Sequence, residues 1–209
     1  MAFPTTSVLD QFNRANGDPG ANWTGPSFGD ANKLSIFSNQ IESAAAAFGA
    51  ECWTASTFGP GIEVFADLAS GISGGGSVRL IILDSATSST ANGYYLAADS
   101  ANNFNLSKSV SGSGSTIQAG TQAVASGDSF GIQWVGTNLS GWYKTASGPW
   151  TQIVSVADSS IANTSGFYIG IELSTNLGGN LLDNFGGGQY RPMLVSPDYS
   201  RYPKSRIRR

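Results

Sequence analysis

"GIEVFADLAS", residues 61–70, decides the fold. Ile62, Val64, Ala66 and Leu68 fall on one side of an extended chain, and Glu63, Phe65 and Asp67 fall on the other. This period of two marks a strand with one face in a core, because successive side chains of a pleated chain point to opposite faces. The pattern recurs on both sides of this stretch. "SVRLIILDS" (77–85) is apolar almost throughout, as a central strand would be. "GYYLAADS" (93–100) and "NFNLSKSV" (103–110) flank a predicted hairpin turn at Ser100, Ala101 and Asn102. "DSFGIQWVG" (128–136) places Phe130, Ile132 and Trp134 on one face. A predicted turn, "TNLSG" (137–141), leads to "WYKTA" (142–146) and "WTQIVSV" (150–156), and "GFYIGIEL" (166–173) and "LLDNF" (181–185) close the series. About a dozen short strands, spaced by Gly, Asn and Ser turns roughly 8–12 residues apart, predict a sandwich or barrel.

Two stretches read less directly. In "IESAAAAFGAECW" (41–53) the alanines favour helix by propensity, but Ile41, Ser43, Ala45, Ala47 and Gly49 also alternate, and a strand is expected. "SGSGST" (111–116) is expected to be a flexible loop.

The chain has 209 residues, of which 12% are charged. Sparse charge can signal disorder, but 40% hydrophobic and 11% aromatic residues supply enough apolar surface for a core. With one cysteine, Cys52, no intrachain disulfide forms, and a buried small hydrophobe is the expected role. The opening "MAFPTTSVLDQF" has neither the basic start nor the apolar run of a secretory signal, and no membrane span is seen, so a protein made in a cytoplasm is expected. Sequons at Asn22, Asn138 and Asn163 are expected by chance in a chain rich in Asn, Ser and Thr.

Charge divides the chain in two. Residues 191–209 hold six basic residues and one acid, a net +5, whereas the preceding residues hold five basic and thirteen acidic ones, a net −8. Three prolines in the basic segment forbid a long helix there. The expected organisation is a jelly-roll domain over 1–188 and an extended arm over 189–209. The arm would bind through Tyr190, Arg191, Met193, Tyr199, Arg201, Tyr202, Lys204, Arg206, Arg208 and Arg209, with aromatic burial supplying affinity and arginine direction. An acidic protein surface, or another copy of the chain, suits it better than nucleic acid, because the acidic body opposes phosphate binding. The alternative is a tail that binds nothing.

"LDQFNRANGDPGANWTG" (9–25) and "LLDNFGGG" (181–188) resemble the bracketing strands of concanavalin A-like, laminin-G-like jelly-roll domains, and "FGIQWVGTNLSGWYKTASGPW" (130–150) resembles their pair of long strands. The resemblance implies an all-β sandwich of two antiparallel sheets whose first and last strands lie side by side, bringing Phe12 and Phe185 together. The opening phrase D-x-F-x-R-x-x-G (Asp10 to Gly17) resembles in particular virion proteins of tailed bacteriophages, implying a minor tail or capsid decoration protein located in the virion with other virion proteins as partners.

Catalytic patterns are absent from the sequence. Without histidine there is no Ser–His–Asp or Cys–His arrangement, and zinc lacks its usual ligands. The four glutamates, Glu42, Glu51, Glu63 and Glu172, are too far apart in sequence for the paired carboxylates of a glycosidase strand. Glu63 and Asp67 share a face, roughly 13 Å apart along a strand, and are expected to be solvated. No cofactor is expected; calcium is the one option left open, through Asp18, Asp30, Asp158 and Asp183 beside turns. A non-enzymatic structural role is the leading expectation. Its rival is a carbohydrate-binding module that stacks sugars on exposed tryptophans, Trp142 and Trp150 being the candidates nearest turns.

Overall fold

A computed structural model describes residues 3–174 and 179–192. Eight of the arm residues named above (Met193, Tyr199, Arg201, Tyr202, Lys204, Arg206, Arg208 and Arg209) lie outside these described residues.

The described chain forms β-strands and loops only. In order these are β1 (Val8–Asp10), β2 (Trp23–Thr24), β3 (Leu34–Phe37), β4 (Gln40–Ser43) and β5 (Gly49–Phe58). Then come β6 (Ile62–Leu68), β7 (Ser77–Leu83), β8 (Gly93–Asp99), β9 (Phe104–Val110) and β10 (Ser113–Gln118). The last five are β11 (Ser129–Val135), β12 (Asn138–Lys144), β13 (Thr151–Ala157), β14 (Phe167–Leu173) and β15 (Leu182–Gln189). They build two antiparallel sheets. Sheet A runs β13-β12-β11-β6-β15-β4-β3, with β1 also on β15, and sheet B runs β10-β9-β8-β7-β14-β5-β2. This is the expected jelly-roll sandwich.

Alternation decides which residues enter the space between the sheets. Ile62, Val64, Ala66 and Leu68 of β6 and Phe130, Ile132 and Trp134 of β11 meet Leu80 and Ile82 of β7, Tyr94 and Leu96 of β8 and Ile169 and Ile171 of β14, all fully buried. First and last strands pair as the resemblance implied, Val8 opposite Gly186 and Asp10 opposite Phe185. Phe12 and Phe185 share the core through Trp23, whose ring lies 5.7 Å from the first and 4.9 Å from the second. Cys52 is fully buried, and burial pushes its thiol up to about 12.

Three expectations on local structure are corrected. "SGSGST" is mostly strand: Ser111 and Gly112, both at positive φ, form a two-residue turn, and β10 pairs with β9 from Ser113 onward. Weak strand propensity yields here to an available edge. The turn between β11 and β12 is only Gly136 and Thr137, since Asn138 already pairs with Val135. Residues 41–53 are strand at both ends but bend at 44–47, where the Ser43 hydroxyl donates to the Ala47 carbonyl (2.6 Å) and closes the connection between β4 and β5.

Candidate functional site

Three outward-facing regions carry the polar and aromatic chemistry of the molecule. The first is the outer face of sheet A, where Phe65 and Trp142 project. Gly131 lies opposite Trp142 and has no side chain, so the ring of Phe3 settles over it and stacks on Trp142, with centroids 5.2 Å apart and planes within 5°. Trp150 meets Phe3 edge-on at 4.8 Å, and Lys144 lies 5.6 Å from the Trp150 ring centroid. The two tryptophans are therefore together, but the expectation that both are exposed is corrected. Trp142 is buried under Phe3, with no partner for its indole N–H, and Trp150 is half-buried.

The residues after Phe3 form a strap over the same face. Its anchor is Glu63, which is completely buried. Oε2 of Glu63 accepts from the Thr5 N–H (2.7 Å), the Thr5 hydroxyl (3.0 Å) and the Thr6 hydroxyl (3.3 Å), while Oε1 accepts from Gln133 Nε2 (2.9 Å). This corrects the expectation of a solvated Glu63. Asp67 is also occupied, accepting from Ser129 Oγ and Asn184 Nδ2.

The second region is a groove of about 480 Å³ between this strap, Phe58 of β5 and the end of β15. Thr5, Thr6, Ser7, Gln189 and Arg191 supply its polar lining, and the bare backbone of Gly187 and Gly188 forms one wall. Two arm residues reach this end of the molecule: the Tyr190 N–H donates to Gly61 O (3.0 Å) and the Arg191 N–H to Thr5 Oγ1 (3.1 Å).

The third region is a trough of about 290 Å³ on the outer face of sheet B, spanning β7 to β10. Pairing sets Arg79 opposite Ala97, Ser77 opposite Asp99, Ala97 opposite Asn105 and Tyr95 opposite Ser107. Short side chains, Ser77, Ala97, Ser107 and Thr116, line it together with Arg79, Asp99, Asn105 and the buried Tyr95. The Tyr95 ring is held by Phe28 edge-on at 5.2 Å and by the Arg79 guanidinium 5.4 Å from its centroid. A Cβ on Gly114 would stand 2.8 Å from the Tyr95 hydroxyl, so glycine in β10 leaves room for the phenol to reach across β9.

Beside the trough, on the neighbouring strand β14, Arg79 meets an acidic group. Arg79 Nη1 bonds Glu172 Oε1 at 2.5 Å, and the guanidinium also lies 5.0 Å from the Phe48 ring centroid. Burial raises Glu172 to about 7 and Asp30 to about 6, against the attraction of Arg79. Asp99 is the only carboxylate lining the trough, and its oxygens accept from the N–H groups of Ala101 and Asn103 and from Asn103 Nδ2. The trough thus presents hydroxyl, amide and guanidinium groups and one carboxylate, which can hydrogen-bond a polyhydroxylated molecule.

The aspartates considered for calcium are scattered among other tasks. Asp158 accepts from the Tyr94 hydroxyl (2.6 Å), Lys108 Nζ (3.0 Å) and Ser160 N–H (2.8 Å). Burial would raise its carboxyl, but these bonds outweigh it and hold the group well below the usual range. Asp18 caps Gly20, Asp183 accepts from the Asn184 N–H, and Asp30 faces Arg79. Among the described residues no three acidic or cysteine side chains group round one point.

Sequence reading missed the trough. Its outward residues alternate visibly along β7, β8 and β9, but only the strand order places them side by side. It missed too that Asn163, read as a chance sequon, ties three loops: its Oδ1 accepts from Gly61 N–H, and its Nδ2 donates to Trp134 O and Gly136 O.

No protein-family model matches the chain, and no curated sequence does. Solved structures do match in fold. The carbohydrate binding module CBM66 from Bacillus subtilis superposes with a TM-score of 0.56 at 11% identity, covering 81% of this chain and 94% of that one. The Ca²⁺-bound VIP36 exoplasmic/lumenal domain gives 0.63 at 12% identity, covering 93% of each chain. The potassium-bound carbohydrate recognition domain of Emp46p gives 0.61 at 9% identity, covering 89% and 97%. At such identities the likeness is one of architecture: the chain has the two-sheet, concanavalin A-like sandwich fold that these domains share.

Proposed function

We propose that the protein is a non-catalytic carbohydrate-binding module and that the trough on sheet B is where it holds a glycan. The observation that carries this reading is the lining of the trough, where hydroxyl, amide and guanidinium groups and one carboxylate from four adjacent strands surround a fixed tyrosine. Sugars are bound by many modest hydrogen bonds, and short side chains on a sheet leave room for a chain of sugar rings. The fold shared with a carbohydrate binding module and with carbohydrate recognition domains supports the same reading. A role in a phage virion, the leading expectation from the opening phrase, draws no support from these comparisons and gives way to it.

The test is affinity electrophoresis of the full chain through gels containing a panel of neutral polysaccharides. At least one should retard it, and N105A and Y95F should each weaken retardation about 5-fold or more, whereas W150A should leave it unchanged. A chelator should not alter it, because the one carboxylate of the trough is already capped by its own turn. No retardation by any polysaccharide, or loss with W150A but not with the trough variants, would overturn the assignment.

A further inference from the structure

The cations of the body are nearly all spoken for. Arg14 pairs with Asp10, Lys33 with Glu51, Arg79 with Glu172 and Lys108 with Asp158, and Lys144 rests near the Trp150 ring. Among the described residues Arg191 is the exception. It is exposed, it makes no ion pair with any described residue, and its one hydrogen bond to them comes from its backbone. The residue lines the groove beside Phe58, Thr6, Ser7 and Gln189.

These groups are complementary to one kind of small molecule. A planar apolar ring suits the C–H face of a pyranose. The Ser7 hydroxyl and Gln189 carboxamide suit its hydroxyls, and an unpaired guanidinium suits a carboxylate, which it binds through charge-assisted, two-pronged hydrogen bonds. The glycines matter as well. A Cβ on Gly188 would stand 3.4 Å from Phe58 Cε1 and 3.6 Å from Thr6 Cγ2, so it would project into the space a ligand would use. Thr5 and Thr6 are fixed from beneath by Glu63, which makes that wall rigid before anything binds.

We infer that this groove is a binding site for an acidic sugar, with Arg191 receiving the carboxylate of a uronate residue and Phe58 its ring. The site is separate from the trough and does not depend on it. The net −8 of the body opposes an anion at long range, so attraction rests on contact with Arg191, and weak millimolar binding of a monosaccharide is expected.

The test is a ¹⁵N–¹H titration of the full chain with galacturonate, galactose and acetate. Galacturonate should shift the amides of Gly187, Gly188, Gln189 and Arg191, and galactose and acetate should each need at least about 10-fold higher concentration. R191A should abolish the shifts and R191K should keep part of them, with the rest of the spectrum unchanged in both. Equal response to galactose removes the role of the arginine. Equal response to acetate removes the role of the sugar ring. Shifts that survive R191A, or none at all, overturn the site altogether. Signals from Ala97 and Asn105 in the trough report independently on the polysaccharide reading.

Discussion

Asp10 does more than any other single residue to organise the N-terminal region. Its carboxylate accepts from the Phe12 N–H (2.8 Å), both terminal nitrogens of Arg14 (2.8 and 2.7 Å) and the Trp23 indole N–H (2.8 Å). Burial works to raise its pKa, but these four bonds outweigh it and hold the group below its ordinary value. The spacing D-x-F-x-R thus has a physical meaning: a turn in which Phe12 enters the core at positive φ while Asp10 and Arg14 close round it. D10A removes the acceptor of the Phe12 and Trp23 N–H groups and leaves Arg14, which is partly exposed, with only its bond to the Pro19 carbonyl, and should lower stability by about 1–3 kcal/mol in chemical denaturation, with D10N between it and the native chain. The phrase was visible in the sequence, but the part played by Trp23 was not. Thirteen residues separate it from Asp10, and only folding brings the indole to the carboxylate.

At the level of elements, the final strand shows why composition can mislead. Gly186, Gly187 and Gly188 look like the place where a domain stops, yet all three belong to β15 and pair with Phe65, Val64 and Glu63. Two of these glycines answer to a neighbour. The Phe65 ring lies against Gly186, where a Cβ would run into it, and a Cβ on Gly187 would meet the Glu63 carbonyl and come within 2.9 Å of Ile169 Cδ1. Gly187 also sits at positive φ, which a side chain disfavours. G186A should therefore cost about 1–3 kcal/mol, relieved by rotation of Phe65, and G187A should cost more, since a backbone carbonyl cannot rotate away. Urea unfolding of the two variants would check the order, and an equal or reversed cost would refute this account of the strand.

For the molecule as a whole, buried and half-buried acids of two kinds set the pH response. Asp10 and Asp158 have lowered pKa values, so the stability they add is present above about pH 4 and is lost as pH falls through their folded values. Asp30, Glu51 and Glu172 are raised by burial to about 6, 7 and 7. For these the sign reverses: the native state holds protons that the unfolded chain has released, and stability is lost as pH rises from about 4 through 7. The melting temperature should peak near pH 5 and drop by on the order of 5 °C by pH 8. E51Q and E172Q should each flatten that fall. A melting temperature that rises between pH 5 and 8 would contradict the burial of these acids. By itself the sequence determined the all-β class, the inward set of residues along β6 and β11, the hairpin at 100–102 and the fate of Cys52, because alternation and turn chemistry are local. Only the tertiary structure decided that Glu63 is an anchor, that Trp142 lies beneath Phe3, that Arg79, Tyr95 and Asn105 share a trough, and that Arg191 lines a groove with Phe58 and Gln189. Burial and adjacency depend on which strands pair, and that order is fixed by contacts between residues far apart in the chain.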